Sequence, residues 1–200
     1  FLVSAQAFGV EVILFFNKID LYSKKLIIQN QNLIREYSKI GYRCISLSVL
    51  NDNINEVKSI VENKNNLISG HSGVGKSTLI NKLLGTADIS TNEISQRHDQ
   101  GQHTTTFSEL YRLDFGGTII DTPGIKGFGL VNIDVDNLSD YFPEFLSLKQ
   151  DCKFNNCKHI NEPNCKVKEA LENGQISKDR YSNYLSMLET EESIYRTNNY

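Results

Sequence analysis

GHSGVGKST, residues 70–78, is the stretch that decides the fold of this chain. A short strand is predicted before it at 66–69 and a helix after it over 78–84, which is the context of a phosphate-binding loop. Glycines allow main-chain N–H groups to turn toward phosphate oxygens, and a helix N-terminus attracts the same anion. The pattern Gly-x4-Gly-Lys-Ser is matched at every specified position, which favours a phosphate site over a ligand-free Gly/Ser-rich turn. The matching residues are Gly70, Gly75, Lys76 and Ser77.

Individual roles follow from the residue types in this loop. Lys76 is expected to reach the β- and γ-phosphates, and the Ser77 hydroxyl is expected to ligate Mg²⁺. The other loop residues are expected to line the nucleotide: His71, Ser72, Gly73, Val74 and Thr78. The loop therefore predicts both a nucleotide and a magnesium ion.

The tetrad Asn17-Lys18-Ile19-Asp20 follows a predicted strand at 10–16 and matches the guanine-reading motif Asn-Lys-x-Asp. The Asp20 carboxylate can accept from guanine N1–H and the exocyclic amine, whereas adenine would leave it unpaired. Asn17 is expected to support the base through its amide, and the stem of Lys18 can lie over the ring. By itself the tetrad is a weak match that could also be an N-capped loop. Its weight increases with Ser46-Leu47-Ser48, after the next predicted strand, where a main-chain N–H could bind the guanine oxygen.

Two further stretches complete the predicted site. DTPG at 121–124 follows a strand, so Asp121 is expected to hold Mg²⁺ through water and the Gly124 N–H to touch the γ-phosphate; an Asp-initiated turn is the structural alternative. The loop GQHTTT, 101–106, lies where a switch that senses the γ-phosphate belongs. One of its threonines is expected to complete the Mg²⁺ shell, with Thr105 preferred to Thr104.

Strands and helices alternate through the first two thirds of the chain. This alternation predicts an α/β domain over 1–139 with a mostly parallel sheet and helices on both faces. A small helical domain is predicted over 140–200, where the pattern changes to short helices around Cys and His. The predicted helices are 1–8, 23–39, 53–62 and 78–84, and the predicted strands are 10–16, 42–47, 66–69, 107–115 and 118–121.

Composition limits the classes of protein that remain. The chain has 200 residues and a net charge of −3, which argues against a protein that is basic throughout. No apolar run approaches the roughly 20 residues of a membrane-spanning helix, and we expect no membrane partner. The four cysteines are too few and too unevenly placed for disulfide staples, which indicates a reducing compartment; a cytoplasmic location is expected.

The C-terminal cysteines have metal-ligand spacing. Cys152, Cys157, His159 and Cys165 supply three thiolates and one imidazole, the ligand set of a closed, structural zinc site. Coincidentally buried thiols are the alternative. Five lysines outnumber two acidic residues around this cluster, a local excess that could meet RNA phosphates or be a solvated face. In the final helix, Tyr181, Tyr184, Leu185 and Leu188 form a predicted packing stripe.

The order of these motifs is a cyclic rotation of the usual GTPase order, with the base tetrad ahead of the phosphate loop. The same site can form if the usual termini are joined and the chain is opened elsewhere. Nearly the whole chain resembles the circularly permuted ribosome small-subunit-dependent GTPases. The motifs that carry this resemblance are NKID, GHSGVGKSTLIN, GQHTTT, DTPGIKGFG, YFPE at 141–144 and the Cys/His cluster.

The resemblance implies parts that lie upstream of these motifs. Family members usually begin with an oligonucleotide-binding barrel, and a sheet strand precedes the helix predicted here at 1–8. That strand sits beside the phosphate-loop strand, and its loss would expose apolar surface and unpaired main chain. We therefore expect the sequence to be N-terminally incomplete.

The resemblance also implies function. We expect a Mg²⁺-dependent, monomeric GTPase that binds the small ribosomal subunit and its rRNA in late maturation and is released as hydrolysis leaves GDP. Ile125 occupies the position of the usual water-orienting Gln, so the resemblance assigns that role to His103; a solvated loop histidine is an equal alternative. His71 ranks second, and Gly73 argues against a monovalent-cation site. The functional alternatives are a guanine-nucleotide-dependent RNA- or ribosome-binding module with negligible hydrolysis, and a zinc-stapled RNA-binding module with a vestigial nucleotide site.

Overall fold

A computed structural model describes residues 1–85, 109–122 and 133–197, with side chains described up to residue 189. The strands are β1 (Ile13–Phe16), β2 (Arg43–Ser46), β3 (Asn65–Ile68), β4 (Glu109–Arg112) and β5 (Thr118–Asp121). The α-helices are α1 (Leu2–Ala7), α2 (Lys24–Ile40), α3 (Asn55–Val61), α4 (Lys76–Leu84), α5 (Pro143–Lys149), α6 (Lys166–Glu172) and α7 (Lys178–Thr197). Two 3-10 helices cover Ile19–Leu21 and Val135–Tyr141.

The element order confirms the predicted α/β class, although the strands are shorter than expected. The predicted strand at 10–16 is reduced to β1, and the one at 107–115 to β4. One sheet has the order β3-β5-β4 and a second pairs β1 with β2. Gly116 and Gly117 form the turn between β4 and β5. Both have φ +94, a backbone conformation that glycine adopts readily.

The three-stranded sheet brings two predicted site segments to one end. β3 and β5 are parallel, and Ile68 lies opposite Asp121 in their register. β4 pairs antiparallel with β5, so that Glu109 also lies opposite Asp121. Ile68 leads into the phosphate loop and Asp121 ends β5, which places the loop and this carboxylate at the same edge.

Two apolar surfaces remain open in the described part of the chain. β3 has β5 as its neighbouring strand there, and Leu67 is 61% exposed. The apolar stripe predicted on α2 does form a helical face, but none of the residues of α2 is buried. Its residues Leu26, Ile27 and Leu33 are among the exposed large side chains. Helical spacing alone therefore did not predict burial.

The chain forms two compact units. One contains Phe1–Leu14, Gln31–Cys44 and the described residues from 133 onward; the other contains Phe15–Asn30 and the described residues from 45 to 122. The first unit has an aromatic core in which Phe142 stacks on Phe145 with ring centroids 4.9 Å apart. The second is built on α3, α4 and β5, with Ile119 fully buried. The domain boundary at 139/140 stays a prediction.

The described helices include none that is both long enough and apolar enough to cross a membrane.

Candidate functional site

The phosphate loop connects β3 to α4 through two glycines in the left-handed region. Gly73 has φ +79 and Gly75, which caps α4, has φ +103. Gly75 also needs to lack a side chain, because a Cβ atom there would lie 2.3 Å from Asn17 Nδ2. Lys76 Nζ donates to the carbonyl oxygens of Gly70 at 2.8 Å and His71 at 3.1 Å, so the ammonium group lies against the loop. His71 itself is exposed.

The base tetrad lies directly on this loop. Asn17 Nδ2 donates to Val74 O at 2.9 Å, and Lys18 Nζ donates to Gly73 O at 2.6 Å. The partners are 57 and 55 residues apart in sequence. Lys18 has φ +63 and begins the 3-10 helix that carries Ile19 and the exposed Asp20. The structure therefore brings together the two motifs that are separated in the sequence.

Asn17 joins three segments through its side-chain amide. Its Oδ1 accepts from the main-chain N–H of Lys18 at 2.7 Å and of Val49 at 2.9 Å. Its main-chain oxygen accepts from the Tyr22 hydroxyl at 3.0 Å. Sequence reasoning missed Val49 and Tyr22. The signal available for Val49 was its place directly after Ser46-Leu47-Ser48.

The stretch 46–48 has its own internal contacts. Leu47 N–H donates to Phe16 O at 3.0 Å, and Ser48 N–H donates to the Asp52 carboxylate at 2.6 Å. Both residues are buried. Ser46 Oγ accepts from Asn30 Nδ2 at 3.4 Å. Because the Leu47 and Ser48 amides already have protein acceptors, a guanine contact by this stretch stays a prediction.

Asp121 is the carboxylate next to Lys76. Its Oδ1 is buried and has no hydrogen-bond partner in the described part of the chain. Burial raises the pKa of Asp121, and the positive charge of Lys76 opposes this shift. The following residue, Thr122, donates from its hydroxyl to Ile68 O at 3.0 Å and joins the ends of β5 and β3. A half-buried carboxylate whose Oδ1 has no hydrogen-bond donor in the described residues fits the predicted role of a cation ligand.

The remaining predicted nucleotide residues fall outside the described part of the chain. They are His103, Thr104, Thr105 and Gly124, together with Ile125. Their assigned roles stay predictions.

A second site lies in the unit that contains α5 to α7. Cys152, Cys157, His159 and Cys165 are all buried, and their ligand atoms lie within 4.8 Å of one another. His159 Nδ1 is 3.3 Å from Cys165 Sγ and 3.7 Å from Cys152 Sγ. Three sulfurs and one imidazole at this spacing suit a tetrahedral zinc ion, and the four residues could hold one.

The surroundings favour a cation among these thiols. Burial raises the pKa of Cys157 to about 12 and lowers the pKa of His159, so burial opposes a charge on either side chain. Thiolates in this position need a positive partner, which Zn²⁺ supplies. The Lys166 N–H, which donates to Cys152 Sγ at 3.4 Å, supports a thiolate at that sulfur.

The last helix, α7, contacts the main chain of the Cys/His cluster. The Tyr181 hydroxyl donates to His159 O at 2.6 Å, and the Tyr184 hydroxyl donates to Lys158 O at 2.7 Å. Tyr184 and Leu188 are buried, which confirms the predicted packing stripe.

Several lysines around this cluster form ion pairs with acidic side chains. Lys149 pairs with Asp140, Lys158 with Asp136 and Lys166 with Glu169. These acidic partners lie outside the stretch counted in the sequence, so the local positive excess is smaller than expected.

This chain is similar in sequence to known proteins. The model of the family described as RsgA GTPase matches residues 1–131. A small ribosomal subunit biogenesis GTPase RsgA from Flavobacterium psychrophilum is 52% identical over 100% of this chain and 62% of its own length. One of the same name from Christiangramia forsetii is 50% identical over 100% and 64%. The chain thus spans a little less than two thirds of these relatives.

Two solved structures share the fold. YjeQ from Thermotoga maritima has a TM-score of 0.75 and 35% identity, covering 94% of this chain and 63% of that one. YloQ, a circularly permuted GTPase, has a TM-score of 0.72 and 28% identity, covering 96% and 61%. The predicted circularly permuted P-loop GTPase fold is confirmed.

Proposed function

This chain belongs to the RsgA GTPase family, and from that premise we propose that it binds GTP and hydrolyses it to GDP and phosphate. The observation that carries the proposal is the 2.9 Å hydrogen bond from Asn17 Nδ2 to Val74 O. This bond joins a guanine-reading motif to a phosphate-binding loop within one compact unit. A single guanine nucleotide can therefore span both.

The phosphates of the nucleotide are assigned to the phosphate loop, with positive charge from Lys76 and Mg²⁺. Lys76 exchanges the carbonyl oxygens of Gly70 and His71 for the β- and γ-phosphates, which carry full negative charge. Ser77, Asp121 through water, and Thr105 or Thr104 would hold Mg²⁺, which would neutralise charge on the phosphates. The raised pKa of Asp121 shows that burial disfavours its ionised form, which a bound cation would stabilise.

The base end is assigned to the tetrad and the stretch after β2. Asp20 pairs with the N1–H and amine of guanine, and Lys18 and Ile19 complete the tetrad around Asn17. Adenine presents an acceptor where guanine presents a donor, so it leaves the Asp20 carboxylate unpaired. Selectivity for guanine over adenine follows.

Hydrolysis is assigned to His103, because Ile125 cannot hydrogen-bond a water molecule. Replacing His103 with Ala is expected to reduce phosphate release while GTP affinity stays the same. Unchanged turnover in this variant removes His103 from the mechanism. A basal rate that rises when a partner orders the switch is expected for a catalytic group on a loop.

The partner is proposed from the relatives, which are named small ribosomal subunit biogenesis GTPases. We assign the small ribosomal subunit and its rRNA as the partner, bound in the GTP state during late maturation and released after hydrolysis. A monomeric state and a cytoplasmic location stay predictions.

The test is phosphate release from the complete protein with GTP or ATP, with and without small ribosomal subunits. Release from GTP that increases with subunits, and little release from ATP, supports the proposal. GTP binding without hydrolysis under either condition indicates the binding module instead. Failure to bind GTP indicates the zinc-stapled RNA-binding module.

A further inference from the structure

The last turn of α4 carries a lysine that the nucleotide site described above does not use. Lys82 Nζ donates to the main-chain oxygens of Val49 at 2.6 Å, Asp52 at 2.7 Å and Leu50 at 3.3 Å. An ammonium group has three N–H donors and no acceptor. Its three acceptors here are all main-chain carbonyl groups of one short segment.

That segment, residues 48–52, is a compact turn after β2 that we call the base turn. The N–H groups of Asn51 and Asp52 both donate to Ser48 O, at 3.1 and 2.8 Å. The Asp52 carboxylate accepts from Ser48 N–H at 2.6 Å and closes the turn from the other side. The carbonyl dipoles of Val49, Leu50 and Asp52 consequently converge, and a single positive charge stabilises all three.

The base turn is connected to the guanine-reading tetrad. Val49 N–H donates to Asn17 Oδ1 at 2.9 Å, and Asn17 Nδ2 donates to Val74 O at 2.9 Å. Val74 belongs to the phosphate loop, which continues into α4, and α4 carries Lys82. The contacts therefore form a closed ring within one compact unit.

We propose that Lys82 is a positioning residue for guanine recognition, which holds the base turn on α4 and thereby fixes Asn17 and Asp20 relative to the phosphate loop. Lys82 acts through Val49 and Asn17. The inference rests on the proposed function, because it concerns how the same nucleotide site selects its base. Without the ammonium group, the turn loses its attachment to α4, whereas Lys76 and Ser77 keep their positions at the other end of the helix.

The experiment compares Lys82→Met with the unchanged complete protein. Affinities for GDP and ADP and the dissociation rate of a fluorescent GDP analogue are measured for both. In the variant, GDP binding is expected to weaken about tenfold, because the hydrogen bonds of a charged ammonium group are lost. GDP is also expected to dissociate faster. ADP binding is expected to stay within about twofold, because the phosphate contacts remain.

Two further variants control this result. Lys82→Arg is expected to restore GDP affinity to within about threefold, because a guanidinium can also donate to several carbonyl groups. Lys25→Met, which removes an exposed lysine at the start of α2, is expected to leave both affinities unchanged. A role limited to general stability would not produce this ratio of GDP to ADP loss together with rescue by arginine.

Each outcome decides one question. If the unchanged protein does not prefer GDP to ADP, the proposed function fails, whatever Lys82 does. If it prefers GDP and Lys82→Met keeps the same ratio, or loses both nucleotides equally, only the role of Lys82 is overturned. If Lys82→Met does not fold, Asp52→Ala loosens the same turn from its other side. A lower GDP to ADP ratio in Asp52→Ala supports the inference, and an unchanged ratio overturns it.

Discussion

Arg180 on α7 forms a buried, two-point ion pair with Glu144 on α5, with Nε 2.6 Å from Oε1 and Nη2 3.1 Å from Oε2. The guanidinium also lies 4.7 Å from the centroid of the Phe142 ring. Burial acts against the charged guanidinium, but the hydrogen bonds and charge of Glu144 more than offset it, so the pKa of Arg180 is raised. Glu144 belongs to the YFPE stretch, which thereby has a structural role in this unit.

Removing the acid of this pair is expected to destabilise the protein. Glu144→Gln leaves a buried guanidinium without its counter-charge, which costs about 3 kcal/mol of unfolding free energy. Urea denaturation of the zinc-loaded protein measures this loss. Glu169→Gln is the matched control, because its pair with Lys166 is solvent-exposed and is expected to contribute little to the free energy of unfolding. Equal losses in the two variants would contradict a buried role for Arg180 and Glu144.

The contact of the tetrad with the phosphate loop predicts that Gly75 tolerates no side chain. In Gly75→Ala the new Cβ meets Asn17 Nδ2 at 2.3 Å, so Asn17 must move from Val74. GDP binding is expected to weaken by at least about tenfold, or ~1.4 kcal/mol.

Gly85→Ala separates this clash from backbone strain. Gly85 also has a positive φ, +69, but a Cβ there has nothing within 4 Å. In both variants, alanine in the left-handed region has a conformational strain of roughly 1–2 kcal/mol. Only Gly75→Ala is expected to lose nucleotide affinity, and comparable affinities in the two variants would show that the Asn17 contact is dispensable.

The Cys/His cluster predicts one tightly held zinc ion per chain. Cys157→Ser is expected to reduce the zinc content measured by mass spectrometry and to lower the melting temperature. Cys44→Ser is the control, because Cys44 is half-buried outside the cluster and its Sγ lies 3.7 Å from Tyr42 O. Full zinc content in Cys157→Ser would refute the ligand set.

The raised pKa of Asp121 predicts that its ionised carboxylate lowers the stability of the nucleotide-free protein, although the same carboxylate is expected to serve in Mg²⁺ binding. In the nucleotide-free protein the folded state holds this proton more tightly than the unfolded state, so stability falls as pH rises from below the ordinary pKa of 3.8 through the raised folded value. Asp121→Asn is therefore expected to raise the melting temperature at pH 7, and this gain should shrink as the pH falls through the raised folded pKa toward 3.8.

The same substitution is expected to abolish the Mg²⁺ dependence of nucleotide binding, because a neutral amide attracts the cation less. Asp114→Asn, on an exposed residue in the turn after β4, serves as the control. A lower melting temperature for Asp121→Asn at pH 7 would show that the ionised carboxylate stabilises the empty site.

The sequence by itself determined the phosphate-loop and base-tetrad motifs, their rotated order and the spacing of the Cys/His cluster. These features are readable because each depends on residue types at short, covalently set spacing. Strand lengths and the exposed face of α2 were not readable, since they depend on which neighbours cover a segment.

Only the tertiary structure decided which distant groups contact one another within each unit. Val49 reaches Asn17 across 32 residues, Lys82 reaches Val49 across 33, and Arg180 reaches Glu144 across 36. Lys82 and Arg180 lie on helices with no distinguishing local signal, and Val49 had only its place directly after Ser46-Leu47-Ser48. Their roles arise because a folded chain must give its converging carbonyl and carboxylate groups a donor, and the donor can come from any segment that the fold brings near.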